Sequence, residues 1–358
     1  MNIYRIYTIA FILILSCYEK EESQNYKIFK ETDLKSINIS STKRDFDEIL
    51  NPSKIEIIEN YIFILESNRG SSDKPAIHVI DTKSWSYYRA KGIRGTGPLE
   101  LAGAQVLFEG RSSNSFWVYS SQDKKFLEFN LHDSSRLANY EYKQPSSMFK
   151  VVRIAPLSDT SYLGISVENE HRLIEFTKDG EELNNYGEWE KVSQHPYLDS
   201  FDLFRLNDGW FKGNSRYKIY AHACIFRDRL EIFDYQTKEF ITVDGPDLGL
   251  PTFKMMGKGN SASLYIPLEE NKYRYRDLTI TSNYIFALYG GIGEFEFRET
   301  SVLATKIYVF THNGKRLMQL NLDRSIEGIV VNEETNQLYG LTTDENPGIA
   351  VFNLPLIE

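Results

Sequence analysis

The stretch Ile307-Tyr308-Val309-Phe310-Thr311-His312-Asn313-Gly314 decides the fold. Its β-branched and aromatic residues predict a strand, and the Asn-Gly that ends it supplies the positive φ angles of a tight hairpin turn. Similar hairpin arms begin at Ile77, Phe126, Leu173, Leu230 and Gly348. Consecutive arms are 41 to 77 residues apart, and units of about 40–50 residues with three or four strands each are typical of propeller blades. The longer intervals therefore hold insertions.

Two further strands precede each arm. The first strands are predicted at residues 54–60, 102–110, 151–159, 201–208, 276–283 and 326–333, and the second at 61–67, 115–122, 161–169, 217–227, 284–291 and 337–344. No stretch has the long 3.6-residue periodicity of a substantial helix, and hairpin turns do not fit a parallel solenoid. Seven or eight blades would need shorter repeats. The sequence therefore predicts an all-β, six-bladed β-propeller of four-stranded antiparallel blades.

The two ends of the chain predict how the ring closes. The sixth copy has a third strand at residues 348–354, after which the chain ends without a fourth. Residues 26–40 precede the first copy and alternate as a strand does. We therefore expect this N-terminal strand to complete the sixth blade, because a closed ring leaves no exposed strand edges.

The first 17 residues have the features of an export signal. Arg5 is followed by a run of ten residues, Ile6 to Leu15, that is too short to span a bilayer as a helix. The tetrapeptide Ile14-Leu15-Ser16-Cys17 resembles the lipobox of bacterial lipoproteins. That resemblance implies cleavage before Cys17 and lipidation of its sulfur; the alternative is an ordinary secretory signal with a chance cysteine. We predict a signal peptide at 1–16, a tether at 17–25 and the propeller at 26–358.

The lipobox resemblance also implies a location. A lipid anchor at Cys17 would hold the chain on a membrane of the bacterial cell envelope, and we expect the outer membrane. The segment Lys20-Glu21-Glu22 is similar to a signal that sends some lipoproteins to the cell surface, but it starts three residues after Cys17. The periplasmic and surface-exposed sides therefore both stay open.

Composition narrows the function classes. The net charge of −9 disfavours nucleic-acid binding, which usually requires a basic stripe. With Cys17 lipidated, Cys224 has no partner, and we expect it to be a buried, inert thiol. Six histidines are scattered without metal-ligand spacing, and no Gly-x-Ser-x-Gly elbow is present. We therefore expect no metal, no cofactor and no catalytic residue that the sequence can single out.

The connection between the first two copies carries a family resemblance. It reads Gly92-Ile93-Arg94-Gly95-Thr96-Gly97-Pro98-Leu99-Glu100, which resembles the Gly-x-Gly-Pro-Gly-Glu turn of the TolB-like six-bladed propeller lipoproteins. Leu99 stands where that family prefers glycine. The resemblance implies the propeller fold and an envelope location, and it implies no activity. A phosphate cradle is the other interpretation, but the lysine-serine ending of a P-loop is missing.

Loop lengths indicate where function lies. The long connections, at residues 68–76, 91–101, 187–200, 244–275 and 292–305, all open on one face of the predicted ring. Long loops on a rigid scaffold are where binding usually resides. The candidate ligand-binding residues, in or next to these loops, are Arg69, Arg94, Tyr273, Arg274, Tyr275 and Arg276. The insert at 244–275 fits a lid over the channel equally well.

We therefore predict a monomeric envelope lipoprotein that binds an unidentified ligand or protein through its long-loop face. The alternative is a carbohydrate-active enzyme that uses carboxylates at the central channel. A purely scaffolding role is a third possibility. Three clustered carboxylates in the channel would favour the enzyme, and an exposed aromatic patch on the loop face would favour binding.

Overall fold

The computed structural model describes residues 25–33, 35–67, 73–257 and 262–357. The prediction of a six-bladed β-propeller is confirmed. In chain order the strands begin with β1 (Tyr26–Ile28), β2 (Ser36–Ile39), β3 (Ser41–Asp45), β4 (Pro52–Ile58), β5 (Tyr61–Glu66), β6 (Ile77–Asp81), β7 (Ser86–Lys91), β8 (Val106–Glu109), β9 (Ser115–Ser120), β10 (Lys125–Asn130), β11 (Tyr140–Lys143), β12 (Val151–Ser158), β13 (Ser161–Ser166), β14 (His171–Thr177) and β15 (Glu182–Glu188). They are followed by β16 (Gly209–Asn214), β17 (Ile219–Cys224), β18 (Arg229–Asp234), β19 (Glu239–Asp244), β20 (Lys254–Met256), β21 (Ser263–Tyr265), β22 (Lys272–Ile280), β23 (Tyr284–Gly293), β24 (Lys306–Thr311), β25 (Arg316–Leu322), β26 (Ile326–Asn332), β27 (Gln337–Thr342) and β28 (Gly348–Asn353). Within the described residues two short α-helices, α1 (Ser200–Leu206) and α2 (Glu294–Thr300), and three single 3₁₀ turns, Glu31–Asp33, Ser146–Met148 and Leu268–Glu270, join them.

Each blade is an antiparallel meander that runs outward from the channel. Blades 1 to 5 are β4–β7, β8–β11, β12–β15, β16–β19 and β22–β25, and blade 6 is β26–β28 with β3 outside. The core lies between adjacent blades, where the alternating apolar residues of facing sheets pack together. Between blades 1 and 2, for example, Phe63 packs with Phe116 at 4.7 Å between ring centroids. No helix in the described ranges is long and apolar enough to cross a membrane.

An N-terminal strand closes the ring, but it is not the strand that we predicted. Ser41–Asp45 pairs antiparallel with Gly348–Phe352, whereas Tyr26–Ile28 and Ser36–Ile39 lie outside blades 4 and 5. There β1 and β2 pair in parallel with β19 and β25. Phe29 and Ile39 are buried in these blades, so the segment covers two open strand edges before it reaches blade 6.

The first strand of blade 4 also differs from its prediction. Residues 201–208 were expected to be extended, but Ser200–Leu206 forms α1 and the strand follows at Gly209–Asn214. The Asp199 side chain caps the helix by accepting a hydrogen bond from the Asp202 amide at 2.9 Å. Leu203 and Phe204 are then buried. A seven-residue helix is too short to show a helical period in the sequence, so the capping residue Asp199 was the only sequence feature that indicated it.

The strand directions define two faces. On the loop face lie the connections between blades and those between second and third strands, including residues 92–105, 189–199, 245–257, 262–271 and 294–305. On the turn face lie the connections between first and second strands, such as residues 59–60 and 159–160. The innermost strands are β4, β8, β12, β16, β22 and β26, which surround the channel.

Candidate partner-binding face

Exposed apolar side chains concentrate on the inserts of the loop face. Among the described residues twelve large apolar side chains are exposed, and seven of them lie in inserts between residues 197 and 302. We call these seven the apolar platform: Tyr197, Leu248, Met256, Tyr265, Leu268, Phe295 and Val302. Phe295 is 62% exposed and Met256 is 55% exposed, although ordinary packing would bury such side chains.

The hairpin β20–β21 gives the platform a fixed shape. Met255 pairs with Leu264, whose side chain is buried, while Met256 and Tyr265 are exposed. The Leu264 amide donates to Oδ1 of Asp202 at 2.7 Å, which ties the hairpin to α1. The hairpin therefore has one face packed on the propeller and one face left to solvent, where Met256 and Tyr265 lie beside Lys254 and Ser263.

Asp228 holds the base of the same insert. Its Oδ2 accepts hydrogen bonds from the Asp247 amide at 2.7 Å and from the Tyr289 hydroxyl at 3.2 Å. Arg274 lies 3.6 Å from this oxygen and donates to Oδ2 of Asp247 at 2.6 Å. The Asp228 side chain is fully buried, and within the described residues its Oδ1 has no hydrogen-bond partner. Burial raises the pKa of Asp228 to about 6, against the opposing effect of Arg274.

Three of the predicted binding residues lie close together in sequence at the start of β22. Arg274 makes the contacts just described, and Arg276 lies over the ring of Tyr273 at 4.6 Å. The Tyr273 hydroxyl donates to Oε2 of Glu294 at 2.5 Å. Tyr275 lies between them in sequence, but its side chain is fully buried and its ring packs on Tyr289 at 5.5 Å. A ligand arriving at the surface would not touch it.

The other predicted residues lie elsewhere. Arg94 donates to the carbonyls of Glu66 and Ser67, at 3.2 and 2.9 Å, so its guanidinium fastens the connection between blades 1 and 2 to the end of β5 in blade 1. Arg69 and Cys17 lie outside the described residues. Leu99, which replaces the glycine of the family pattern, has φ of +60°, so the chain keeps the left-handed turn in spite of the side chain.

The sequence did not single out the charged groups of the channel. Nζ of Lys212, on blade 4, lies 3.0 Å from Oε1 of Glu56 on blade 1 and 3.3 Å from Oδ1 of Asp277 on blade 5. Burial raises the pKa of Glu56, and it raises the pKa of Glu327, near Arg276, to about 7. The sequence does contain charged residues within first strands that are otherwise apolar. Only the closed ring shows which of these residues face the channel.

No metal-binding cluster of three His, Cys, Asp or Glu occurs in the described part of the chain. His222 and Cys224 share a strand, but Cys224 is fully buried and its thiol donates to the Asn207 carbonyl. Burial raises the pKa of this thiol, which keeps it protonated and unreactive.

Comparison with known proteins gives the family. The profile of the family described as TolB-like 6-blade propeller-like matches residues 29–334. This chain belongs to that family. Among solved structures the TolB-like chain is similar to a protein from Bacteroides fragilis that is described as exported, with 15% identity and a TM-score of 0.56 over 92% of this chain and 98% of that one. It is also similar to a member of the DUF4221 family from Bacteroides vulgatus, with 10% identity and a TM-score of 0.56 over 89% of this chain and 97% of that one. At these identities the likeness shows the fold of the TolB-like chain alone. A comparison with curated proteins finds no match.

Proposed function

We propose that this TolB-like propeller is an exported lipoprotein of the cell envelope, anchored at Cys17, that binds a partner protein through its loop face. The apolar platform is the observation that carries the proposal. Exposed apolar side chains on ordered inserts are typical of protein-binding surfaces, where aromatic residues and methionine are enriched. The chain acts as a monomer that meets its partner by this face.

The contacts of the platform support this function over that of a lid. A lid would turn its apolar side chains toward the channel, but Met256 and Tyr265 are exposed on the outer side of the hairpin. The hairpin is also tied down at Leu264 and at Asp247. A tied hairpin with two large apolar side chains turned outward is better suited to docking than to opening and closing.

Export and anchoring are supported by two features. The first is the lipobox-like sequence that ends at Cys17. The second is the similarity to a protein from Bacteroides fragilis that is described as exported. We propose the outer membrane, with the side of the membrane left open. Substitution Cys17→Ser should move the chain from the membrane fraction to the soluble one, and a Cys17→Ser chain that stays with the membrane contradicts the anchor.

Point variants of the platform test partner binding better than a deletion. Removing residues 247–268 would also remove the buried Leu264 and Ile266 and so disturb the fold. We therefore expect a crosslinking pull-down from native envelopes to recover one protein with the wild type and to lose it with Phe295→Ser or Met256→Ser. The matched control is Leu183→Ser, because Leu183 is 44% exposed but lies outside the loop face. A protein recovered equally with all four chains, or with none, contradicts the proposal.

The enzyme remains the alternative, because Glu56 and Asp277 do face the channel. Both carboxylates contact the Lys212 ammonium. Glycoside hydrolysis instead needs one carboxyl group free to donate a proton and a second free to act on the sugar or on water. The ion pairs therefore favour a structural role for this trio and leave binding as the better-supported function.

A further inference from the structure

A large basin opens on the turn face, opposite the apolar platform. Its volume is about 870 Å³, which is within the range of cavities that hold a small molecule. It lies where the first strands of the blades end, and residues of all six blades line it. The proposed partner protein docks on the other face, so the basin is a separate site.

Two members of the charged trio of the channel form the floor of this basin. Glu56 and Lys212 line it, and they come from blades 1 and 4, which are opposite each other in the ring. Their 3.0 Å ion pair therefore crosses the channel. Asp277 accepts a second contact from Lys212 and a hydrogen bond from the Ile329 amide at 2.9 Å. The basin is thus a pocket with a bottom of fixed charges.

The wall from blades 3 and 4 is rich in positive charge. Lys178, Arg216 and Lys218 line it, against the single carboxylate of Asp159. Lys218 donates to the Leu157 carbonyl, a neutral acceptor that leaves its charge uncompensated. In the part of the chain that the structure describes, these three cations form no ion pair. This side of the basin would attract a carboxylate or a phosphate.

The wall from blades 2 and 6 is negative. Glu109 and Glu333 line it, and among the described residues that line this wall the opposing charge is Arg111. The Glu333 carboxylate already accepts hydrogen bonds from the Ser282 amide at 3.1 and 3.0 Å, so Glu109 supplies the charge for a ligand. The Arg111 guanidinium lies 3.7 Å from Glu128 and over the ring of Tyr140 at 4.8 Å, so it already has partners on the outer strands of blade 2. This side of the basin would attract an ammonium group. The two walls therefore have opposite charge across one cavity.

We propose that the turn-face basin binds a zwitterionic small molecule, a compound of short-peptide size with a carboxylate at one end and an ammonium group at the other. The anionic end lies against Arg216 and Lys178, and the ammonium end lies against Glu109. A singly charged or neutral molecule leaves one wall without a partner and binds more weakly, since each charge-assisted contact is lost separately.

Three forms of one tripeptide test the proposal by isothermal titration calorimetry on the whole mature chain. Trialanine carries both charges, N-acetyl-trialanine only the negative one, and trialanine amide only the positive one. We expect trialanine to bind at millimolar concentrations. The affinity of each blocked form should be at least about tenfold lower, which corresponds to the loss of one charge-assisted contact. Arg216→Gln should weaken trialanine and the acetylated form but not the amide, and Glu109→Gln should weaken trialanine and the amide but not the acetylated form.

The control variant changes a residue on the same face but outside the basin. Lys83 occupies in blade 1 the turn that Lys178 occupies in blade 3, and it is exposed and does not line the basin. Lys83→Gln should therefore leave all three titrations unchanged, while Lys178→Gln weakens the two forms with a free carboxylate. Equal binding of the three forms, no binding of any, or an equal effect of Lys83→Gln and Lys178→Gln overturns the proposal. These titrations do not involve the platform, so their failure leaves the proposed function standing.

Discussion

Replacing the buried Asp228 should change how the stability of the propeller depends on pH. The folded state raises the pKa of Asp228 from an ordinary 3.8 to about 6, so the folded chain holds this proton at pH values where the unfolded chain has lost it. Stability from this group is therefore full below pH 3.8 and falls as pH rises toward 6. At about 1.4 kcal/mol for each pH unit, the loss amounts to about 3 kcal/mol.

Asp228→Asn removes the titration and keeps the shape of the side chain. Relative to the wild type, the free energy of unfolding of this variant should rise by about 3 kcal/mol between pH 2.5 and pH 7, because the penalty for burying the ionised carboxylate is absent. Urea denaturation at several pH values, followed by tryptophan fluorescence, measures this difference. Asp247→Asn is the matched control: its carboxylate is 55% exposed with a lowered pKa, so it should not gain stability at pH 7. Parallel pH profiles for the wild type and Asp228→Asn would refute the reasoning.

Three further changes test other parts of the structure. Lys212→Met should lower the free energy of unfolding by about 3–5 kcal/mol in urea denaturation, because it leaves two carboxylates of the channel without their cation. A loss below about 1 kcal/mol is typical of an exposed ion pair and would contradict the contacts of Lys212 with Glu56 and Asp277. The Cys224 thiol should not react with a thiol reagent in the folded chain and should react fully in urea, because it is buried and its pKa is raised. Rapid reaction of this thiol in the folded chain would contradict the prediction. A chain that starts at Ser40 should still fold, with lower stability, whereas one that starts at Asp47 should not, because only the latter lacks the strand that closes blade 6; circular dichroism and limited proteolysis distinguish the two.

The repeated strands were predictable because each blade follows the same local rules. Turn pairs such as Asn313-Gly314 and the alternation of apolar residues fix a hairpin without reference to the rest of the chain. The closing strand was harder to place. Residues 36–39 and 41–45 are both extended, and only the edges available to them distinguish an outer parallel strand from the closing antiparallel one.

The candidate site was predictable only in its position. Loop length indicated the connections at 187–200, 244–275 and 292–305, where the platform lies, but not which side chains stay exposed. Tyr275 reads like its neighbours in sequence, yet a strand alternates its faces and this ring points into the core. The charged trio of the channel was hidden for a similar reason, since its members are far apart in sequence and meet only when the ring closes.

Site-specific photocrosslinking in living cells is the most direct test of the loop face as a binding surface. A photoreactive amino acid would be introduced at position 295 or 256 on the platform, and at position 183 as the control outside that face. We expect one discrete crosslinked product from each platform position and none from position 183. No product from the platform, or the same product from all three positions, would contradict it.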